Sequence, residues 1–223
     1  MRLFRGKTKL QRIAEAQVKG LLAGGARPFN PVNALLGVST GGKAVMKTPK
    51  GRVVVHKVVK LPGISTRVIA SAHFGKGAPF VQKTATLDTN LRGWENSLRM
   101  EVENRMQEMA RAGAPVVVPE SIKVRGNHVS LREKFIGPTV GELLKLESLT
   151  KGQKRALVRK TVRAMKKVSR VAARKNYVVM PGELHEENAL YDYENDRVVF
   201  TDLPLIRLGK ADRELLKLIE RKN

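Results

Sequence analysis

The sequence predicts an α+β protein built from antiparallel strands and amphipathic helices. Three runs of β-branched and apolar residues, over 52–60, 67–74 and 79–85, are separated by short breaks that contain glycine. Breaks of this kind join antiparallel neighbours, so the three runs are expected to form a meander. Apolar residues at helical spacing in two further segments, 91–112 and 151–175, predict two helices.

The first segment predicts an amphipathic helix over residues 8–22. Residues 23–50 are rich in glycine, proline, asparagine and lysine and show little periodicity, which predicts a linker or irregular structure. Two locations for the helix remain open. It either packs on the folded part of the chain through its leucines, which we favour slightly, or lies on an anionic membrane surface.

Two more strands are predicted near residues 116–124 and 128–135, with a turn around Gly126 between them. A short helix near 140–146 precedes the long one. The long helix is expected to bury its apolar positions, which are Val158, Val162, Met165, Val168 and Ala172. After it we expect a loop over 181–188, a hairpin with strands at 189–191 and 197–201, and a last helix at about 210–221.

Composition and charge exclude several classes of site and indicate an anionic partner. The chain has 223 residues and no cysteine, which excludes a disulfide scaffold, cysteine-ligated zinc and a cysteine nucleophile. The formal net charge is +23, and the excess lies in residues 1–60, at +12, and in 151–175, at +11. Such concentrated blocks favour nucleic acid, an acidic protein or an anionic membrane face as partner.

The long helix carries the clearest candidate for that surface. Six cations, which we call the cation stripe, recur every three or four residues on one side: Arg155, Arg159, Arg163, Lys166, Arg170 and Arg174. Like charges at this spacing repel one another, so an anionic partner would stabilise them, although a solvated face remains the alternative. Aromatic residues are only 4% of the chain, which favours contact with a nucleic-acid backbone over base stacking.

Two motifs in the C-terminal part carry a family resemblance. The string GELHEENAL occupies residues 182–190, and the second strand of the hairpin that follows leads into Thr201-Asp202. This order resembles the protein-kinase-like fold, in which a G-D-L-H-x-x-N-x-L loop precedes a short hairpin and a strand ending in I-D-F-G. The likeness spans roughly residues 52–205. It is greatest with minimal, atypical kinases and pseudokinases, some of which are secreted bacterial effectors with a truncated C-lobe.

The resemblance implies a protein-kinase-like fold of two lobes. Residues 51–136 would form an N-lobe with a five-stranded antiparallel sheet and one helix. Residues 137–223 would form a reduced, mainly helical C-lobe, and residues 1–50 a basic N-terminal helix and linker. Only 21 residues follow Asp202, too few for the helices that usually bind a peptide substrate.

The resemblance also implies a site for ATP. Lys83 matches the third-strand lysine that contacts phosphate, and it needs an acid on the following helix as partner. Glu103 borders the apolar face of that helix and is our choice, with Glu95 and Glu101 as alternatives. Gly63 stands in the turn that corresponds to the phosphate loop, where the family usually has two or three glycines.

Magnesium and adenine sites are implied in the same way. Asn188 and Asp202 match the family's two metal ligands, and both supply the oxygen atoms that Mg²⁺ requires. The backbone near Glu133 and Phe135 would meet adenine at the hinge between the lobes. His185 is expected mainly to order its loop.

The chain also departs from the family pattern. Glu183 stands where the family has the catalytic Asp, and its extra methylene moves the carboxylate by about 1.5 Å. Displacements of about 1 Å can lower a rate on the order of a hundredfold. Leu203-Pro204 replaces the family's Phe-Gly, and proline fixes φ and removes an N–H.

Three functions are therefore open. The first is an ATP- and Mg²⁺-binding, kinase-like phosphotransferase with a basic partner-binding surface. The second is an inactive pseudokinase that binds nucleic acid or an acidic protein, and the third is a basic nucleic-acid binder unrelated to kinases. The sequence has no apolar run of about 18 residues and no secretory signal pattern, so we expect no transmembrane segment. A reducing, cytoplasmic compartment is expected, with export as an effector left open. No oligomeric state is indicated.

Overall fold

A computed structural model shows a mixed α+β protein with antiparallel sheets, and so confirms the predicted fold class at that level. The residues that it describes are 6–23, 27–28, 44–48, 51–60, 67–74, 78–86, 95–180, 182–203 and 205–209. No helix among them is long and apolar enough to cross a membrane. The chain divides into two compact units, which we call the sheet unit (Glu15–Asn104 and Val118–Ile136) and the helical unit (Met1–Ala14, Arg105–Val117 and Gly137–Asn223).

A seven-stranded sheet forms the centre of the sheet unit, with strand order β1-β2-β3-β4-β5-β7-β6. The strands are β1 (Arg27–Pro28), β2 (Ala44–Thr48), β3 (Gly51–Lys60), β4 (Arg67–Phe74), β5 (Phe80–Thr86), β6 (Ser121–Arg125) and β7 (His128–Lys134). Neighbours are antiparallel except β1 and β2, which are parallel.

The sheet is wider than the five strands that we expected. The five are contiguous and antiparallel, from β3 to β6 in the strand order, and β2 extends the antiparallel pairing beyond β3. Strands β1 and β2 lie within residues 23–50, which we predicted to be a linker. Glycine and proline around these short strands conceal their signal, because such residues are typical of irregular structure. The helix between β5 and β6 is α2 (Glu95–Arg111), close to the predicted 91–112.

The N-terminal helix, α1 (Lys9–Ala23), begins in the helical unit and packs there. Leu10 and Ala14 belong to the hydrophobic core of this unit. The buried side chain of Gln11 donates from Nε2 to the carbonyl of Tyr193 at 2.7 Å. For this first part of the helix, packing on the folded chain is therefore the arrangement found, rather than an exposed apolar face ready for a membrane.

The long helix, α4 (Lys151–Arg174), begins at a capping box in which Thr150 and Gln153 each accept the other's backbone N–H. Its buried residues are Leu157, Thr161, Ala164, Val168, Val171 and Ala172. The predicted face was wrong at Val158 and Val162, which are 44% and 41% exposed. Thr161 takes a core position because its hydroxyl donates to the Leu157 carbonyl within the helix, which satisfies the buried polar group.

Short elements complete the helical unit. Helix α3 (Val140–Leu144) also begins at a capping box, formed by Thr139 and Glu142. Strand β8 (Tyr177–Val179) pairs with β11 (Leu205–Arg207), a pairing that the sequence did not predict. The expected hairpin is present as antiparallel β9 (Ala189–Asp192) and β10 (Arg197–Phe200). The helix predicted at 210–221 lies outside the described residues.

A buried polar network closes the turn of this hairpin. Tyr191 is fully buried, and its hydroxyl donates to Asp196, which also accepts from Lys160 at 2.9 Å. Burial and the contact with Asp196 raise the pKa of Tyr191, so the phenol stays a protonated donor. Asp192 accepts from Arg197 at 2.9 Å. These bonds hold the hairpin that carries the candidate metal ligands at its open end.

Gly137 approaches the hairpin so closely that a side chain should destabilise the fold. A Cβ at this position would overlap the carbonyl oxygen of Tyr191, whose N–H is bonded to the Pro138 carbonyl at 2.9 Å. Both partners are backbone, so Gly137→Ala is expected to lower the free energy of unfolding by about 2 kcal/mol. Urea denaturation measures this, and Gly152→Ala in helix α4 should be neutral or slightly stabilising. Equal effects of the two substitutions would contradict the close approach.

Candidate functional site

Lys83 lies on an inner strand of the sheet and forms a buried ion pair with Glu133. In the β5–β7 register Lys83 is opposite Leu131. Glu133 is two residues further along β7, so it is a diagonal neighbour of Lys83 on the same face of the sheet. The ammonium Nζ donates to Glu133 Oε2 at 2.7 Å, and the two side chains are only 15% and 5% exposed. A carboxylate is what an ammonium this buried needs to stay charged.

This carboxylate differs from the one that we predicted for Lys83. Glu103 on helix α2 is half-buried and forms no ion pair with the side chains that the structure describes. The side chains of Glu95 and Glu101 lie outside the described part of the chain. The pairing with Glu133 depends on strand register, a non-local feature. A charged residue at an inward position of β7 was the only signal for it in the sequence.

Glu133 and Phe135, which we predicted to lie at a hinge, have contacts within the sheet unit. The side chain of Glu133 is occupied by Lys83, so only its backbone is left for adenine. Phe135 donates its N–H to the Pro79 carbonyl at 3.0 Å. Its ring packs edge-on against the ring of Phe74, with 4.9 Å between the two ring centroids. The Phe135 N–H therefore meets a nucleotide only if this bond is broken. Gly63 lies outside the described residues.

The loop before the hairpin brings Glu183 and Asn188 together. Asn188 Nδ2 donates to Glu183 Oε2 at 3.0 Å and to the Glu183 carbonyl at 3.2 Å. With its NH₂ group used in this way, the amide presents Oδ1 on its other side. Glu183 and Asn188 are five residues apart in GELHEENAL, so the sequence predicted that both belong to one site. It did not predict the hydrogen bond between them.

Internal bonds order this loop. His185 Nδ1 accepts the Glu187 N–H at 3.2 Å, which requires Nδ1 to be the unprotonated ring nitrogen. The carbonyl of Glu186 accepts from Gly141 N–H at 3.1 Å, and Glu187 pairs with Lys145 at 3.2 Å. The loop is thereby fixed to helix α3, and His185 has the ordering contact that we expected of it.

Asp202 follows the same hairpin at its open end. Thr201 donates its N–H to the Asn188 carbonyl at 3.0 Å, which continues the β9–β10 pairing by one step. Asp202 is exposed and has a left-handed φ of 55°. A non-glycine residue in this region is uncommon, although Asp tolerates it better than most. Asn188 and Asp202 are thus held at one end of one hairpin.

Asn188 and Asp202 supply two oxygen donors of the kind that Mg²⁺ takes in proteins. Among the described residues no group of three or more His, Cys, Asp or Glu could enclose a metal. Mg²⁺ is commonly held by one or two protein carboxylates together with water and substrate phosphates. An amide oxygen from Asn188 and a carboxylate from Asp202 match that requirement, whereas a metal held by protein alone would not be satisfied here.

The cation stripe lies on the solvent side of helix α4. All six of its residues are exposed, and none forms an ion pair with any residue that the structure describes. Two other lysines of this region do have acidic partners, since Lys160 pairs with Asp196 and Lys175 pairs with Glu108. The stripe is therefore uncompensated within the described residues.

No protein-family model and no curated protein matches this chain. The helical unit groups Glu183, Asn188 and Asp202 around the open end of one hairpin. The sheet unit holds Lys83 and Glu133 as a buried pair.

Proposed function

We propose that this chain binds ATP with Mg²⁺ and acts as an atypical, minimal protein-kinase-like phosphotransferase. The observation that carries the proposal is the grouping of Glu183, Asn188 and Asp202 at the open end of the hairpin. The order of elements supports it as well. From β3 onward, three strands, a helix, two strands, two helices, the short strand β8 and the hairpin follow one another, and this order is compatible with the resemblance.

Each residue has one role in this proposal. Lys83 contacts the phosphates of ATP. Glu133 orients the Lys83 ammonium, which is the role that we expected of Glu103 on the following helix. Asn188 Oδ1 and Asp202 hold Mg²⁺, which neutralises charge on the phosphates when bound. Glu183 orients the acceptor hydroxyl and takes its proton, while Asn188 fixes the position of the Glu183 carboxylate.

Nucleotide-dependent thermal melting tests the binding step. ATP at about 100 times Kd is expected to raise the Tm by roughly 5–10 °C in the presence of Mg²⁺. Asp202→Asn should remove the part of this shift that depends on Mg²⁺. Glu194→Gln makes the same charge change at the exposed turn of the hairpin and should leave the shift intact. An unchanged Tm of the wild-type chain with nucleotide and Mg²⁺ would refute the proposal.

A second function is favoured by a specific observation. The cation stripe lacks acidic partners in the described structure, which is typical of a surface that binds an anion. The chain would then be a pseudokinase, a binding module for nucleic acid or an acidic protein. Measurable phosphate transfer that disappears in Asp202→Asn supports the enzyme, whereas nucleotide-independent binding without transfer supports the module.

A further inference from the structure

A shallow groove runs beside the cation stripe on the helical unit. It is lined by Val162, Met165, Lys166, Ser169, Arg170 and Leu184. Five of these residues come from helix α4. Lys166 and Arg170 belong to the cation stripe, and the other three lie beside it on the helix. The sixth comes from the ordered loop that contains Glu183.

The floor of the groove is apolar and open to solvent. Val162 is 41% exposed, and Val158, one turn earlier on the same row, is 44% exposed. Single exposed apolar residues are ordinary, whereas contiguous ones mark interaction surfaces, and the groove places Val162 beside Met165 and Leu184. A partner that covers this floor would remove apolar area from water.

The rim of the groove is cationic. Lys166 and Arg170 belong to the cation stripe and have no acidic partner among the described residues. Their potential attracts anionic groups, and the net charge of +23 strengthens this attraction at low ionic strength. The occupant of the groove must therefore be acidic next to its apolar contact.

An acidic protein segment uses both features, whereas a nucleic acid uses one. Phosphates could contact Lys166 and Arg170 but would leave the apolar floor uncovered. Bases stack best on aromatic side chains, and none of the described residues that line the groove is aromatic. Protein interfaces commonly combine an apolar centre with a polar rim, which is the arrangement found here.

We propose that this groove binds an acidic, amphipathic segment of a partner protein. One or two large apolar side chains of the segment lie on Val162, Met165 and Leu184. Its carboxylates meet Lys166 and Arg170. The interaction does not require nucleotide, so it stands apart from the proposed phosphotransferase activity.

Fluorescence anisotropy with synthetic peptides tests this surface on the full chain. The probe is a labelled peptide of about four helical turns, with leucine at every fourth position and glutamate elsewhere. An all-glutamate peptide of equal length is the comparison. The leucine-containing peptide is expected to bind about tenfold more tightly, as one buried apolar side chain would provide.

Matched variants locate the binding. Val162→Ser should weaken the leucine-containing peptide about tenfold. Ile206→Ser changes an equally exposed apolar residue outside the groove and should leave affinity unchanged. Arg170→Gln should weaken both peptides, and more so at low salt, whereas Lys123→Gln on strand β6 should have little effect.

Three outcomes would overturn the proposal. Equal affinity for the two peptides, or no effect of Val162→Ser on affinity, shows that the apolar floor adds nothing to the affinity that charge provides. Tighter binding of a single-stranded RNA that Val162→Ser leaves unchanged assigns the face to nucleic acid.

Discussion

Replacing Glu133 by leucine is expected to lower the free energy of unfolding by about 3 kcal/mol. The substitution removes the carboxylate that lies 2.7 Å from the Lys83 ammonium. Both side chains are largely buried, so water cannot restore the lost interaction at little cost. Urea denaturation with a constant m value gives the change directly.

The companion substitutions show whether burial is the cause. The double variant Lys83→Met/Glu133→Leu should recover most of the loss, because an apolar pair of similar size leaves no buried charge. Glu120→Gln removes one partner of the exposed Arg132–Glu120 pair in the same sheet, and should cost less than about 1 kcal/mol. A Glu133→Leu cost no larger than that of Glu120→Gln would contradict a buried, interdependent pair.

The double variant also separates stability from function. It should be folded and yet show no ATP-dependent rise in Tm, since Lys83 is the proposed contact for phosphate. If it binds ATP like the wild-type chain, then Lys83 and Glu133 form a purely structural pair. The nucleotide site would then have to be formed without Lys83.

Local signals account for the parts of the fold that the sequence predicted. Strands β3 to β5, the β6–β7 turn at Gly126 and the 151–175 helix each follow from residues close together in the chain. Their periodicity and turn residues are sufficient because the interactions that define them are short-range. Pairings between distant, short strands, such as β8 with β11, leave no such signal.

The orientation of helix α4 shows why apolar periodicity is not enough. Val158 and Val162 fit an apolar stripe as well as Leu157 and Thr161 do, if polarity alone is considered. Which face of the helix is buried depends on the elements of the unit that pack against it. Thr161 is acceptable in the core because its hydroxyl donates a hydrogen bond to the Leu157 carbonyl within the helix. Of the two valines that are exposed instead of buried, Val162 lines the groove.

In the candidate site, too, contacts between residues close in the chain were easier to predict than contacts between distant ones. The sequence could predict that Glu183, Asn188 and Asp202 lie near one another, because one loop and one short hairpin connect them. The pairing of Lys83 with Glu133 was not predicted, because the two are 50 residues apart and meet only through the register of β5 and β7. A one-residue shift of that register would place Glu133 on the other face of the sheet.

Glu183→Gln is expected to lower the rate of phosphate transfer from ATP by about 100-fold or more, the usual effect of losing a general base. The glutamine keeps the length of the side chain but cannot take a proton. The ATP- and Mg²⁺-dependent rise in Tm should persist, because Asn188 and Asp202 are unchanged. Transfer of radiolabelled phosphate from ATP to a protein acceptor, or to the chain itself, measures the rate.

Glu186→Gln is the matched control, since it removes an exposed carboxylate from the same loop and should leave transfer unchanged. Equal losses in both variants would point to loop disruption instead of a lost base. If wild-type transfer does not exceed that of Asp202→Asn, the chain is no phosphotransferase. The Glu183 carboxylate, bonded at 3.0 Å to Asn188, would then serve to order the loop of a binding module.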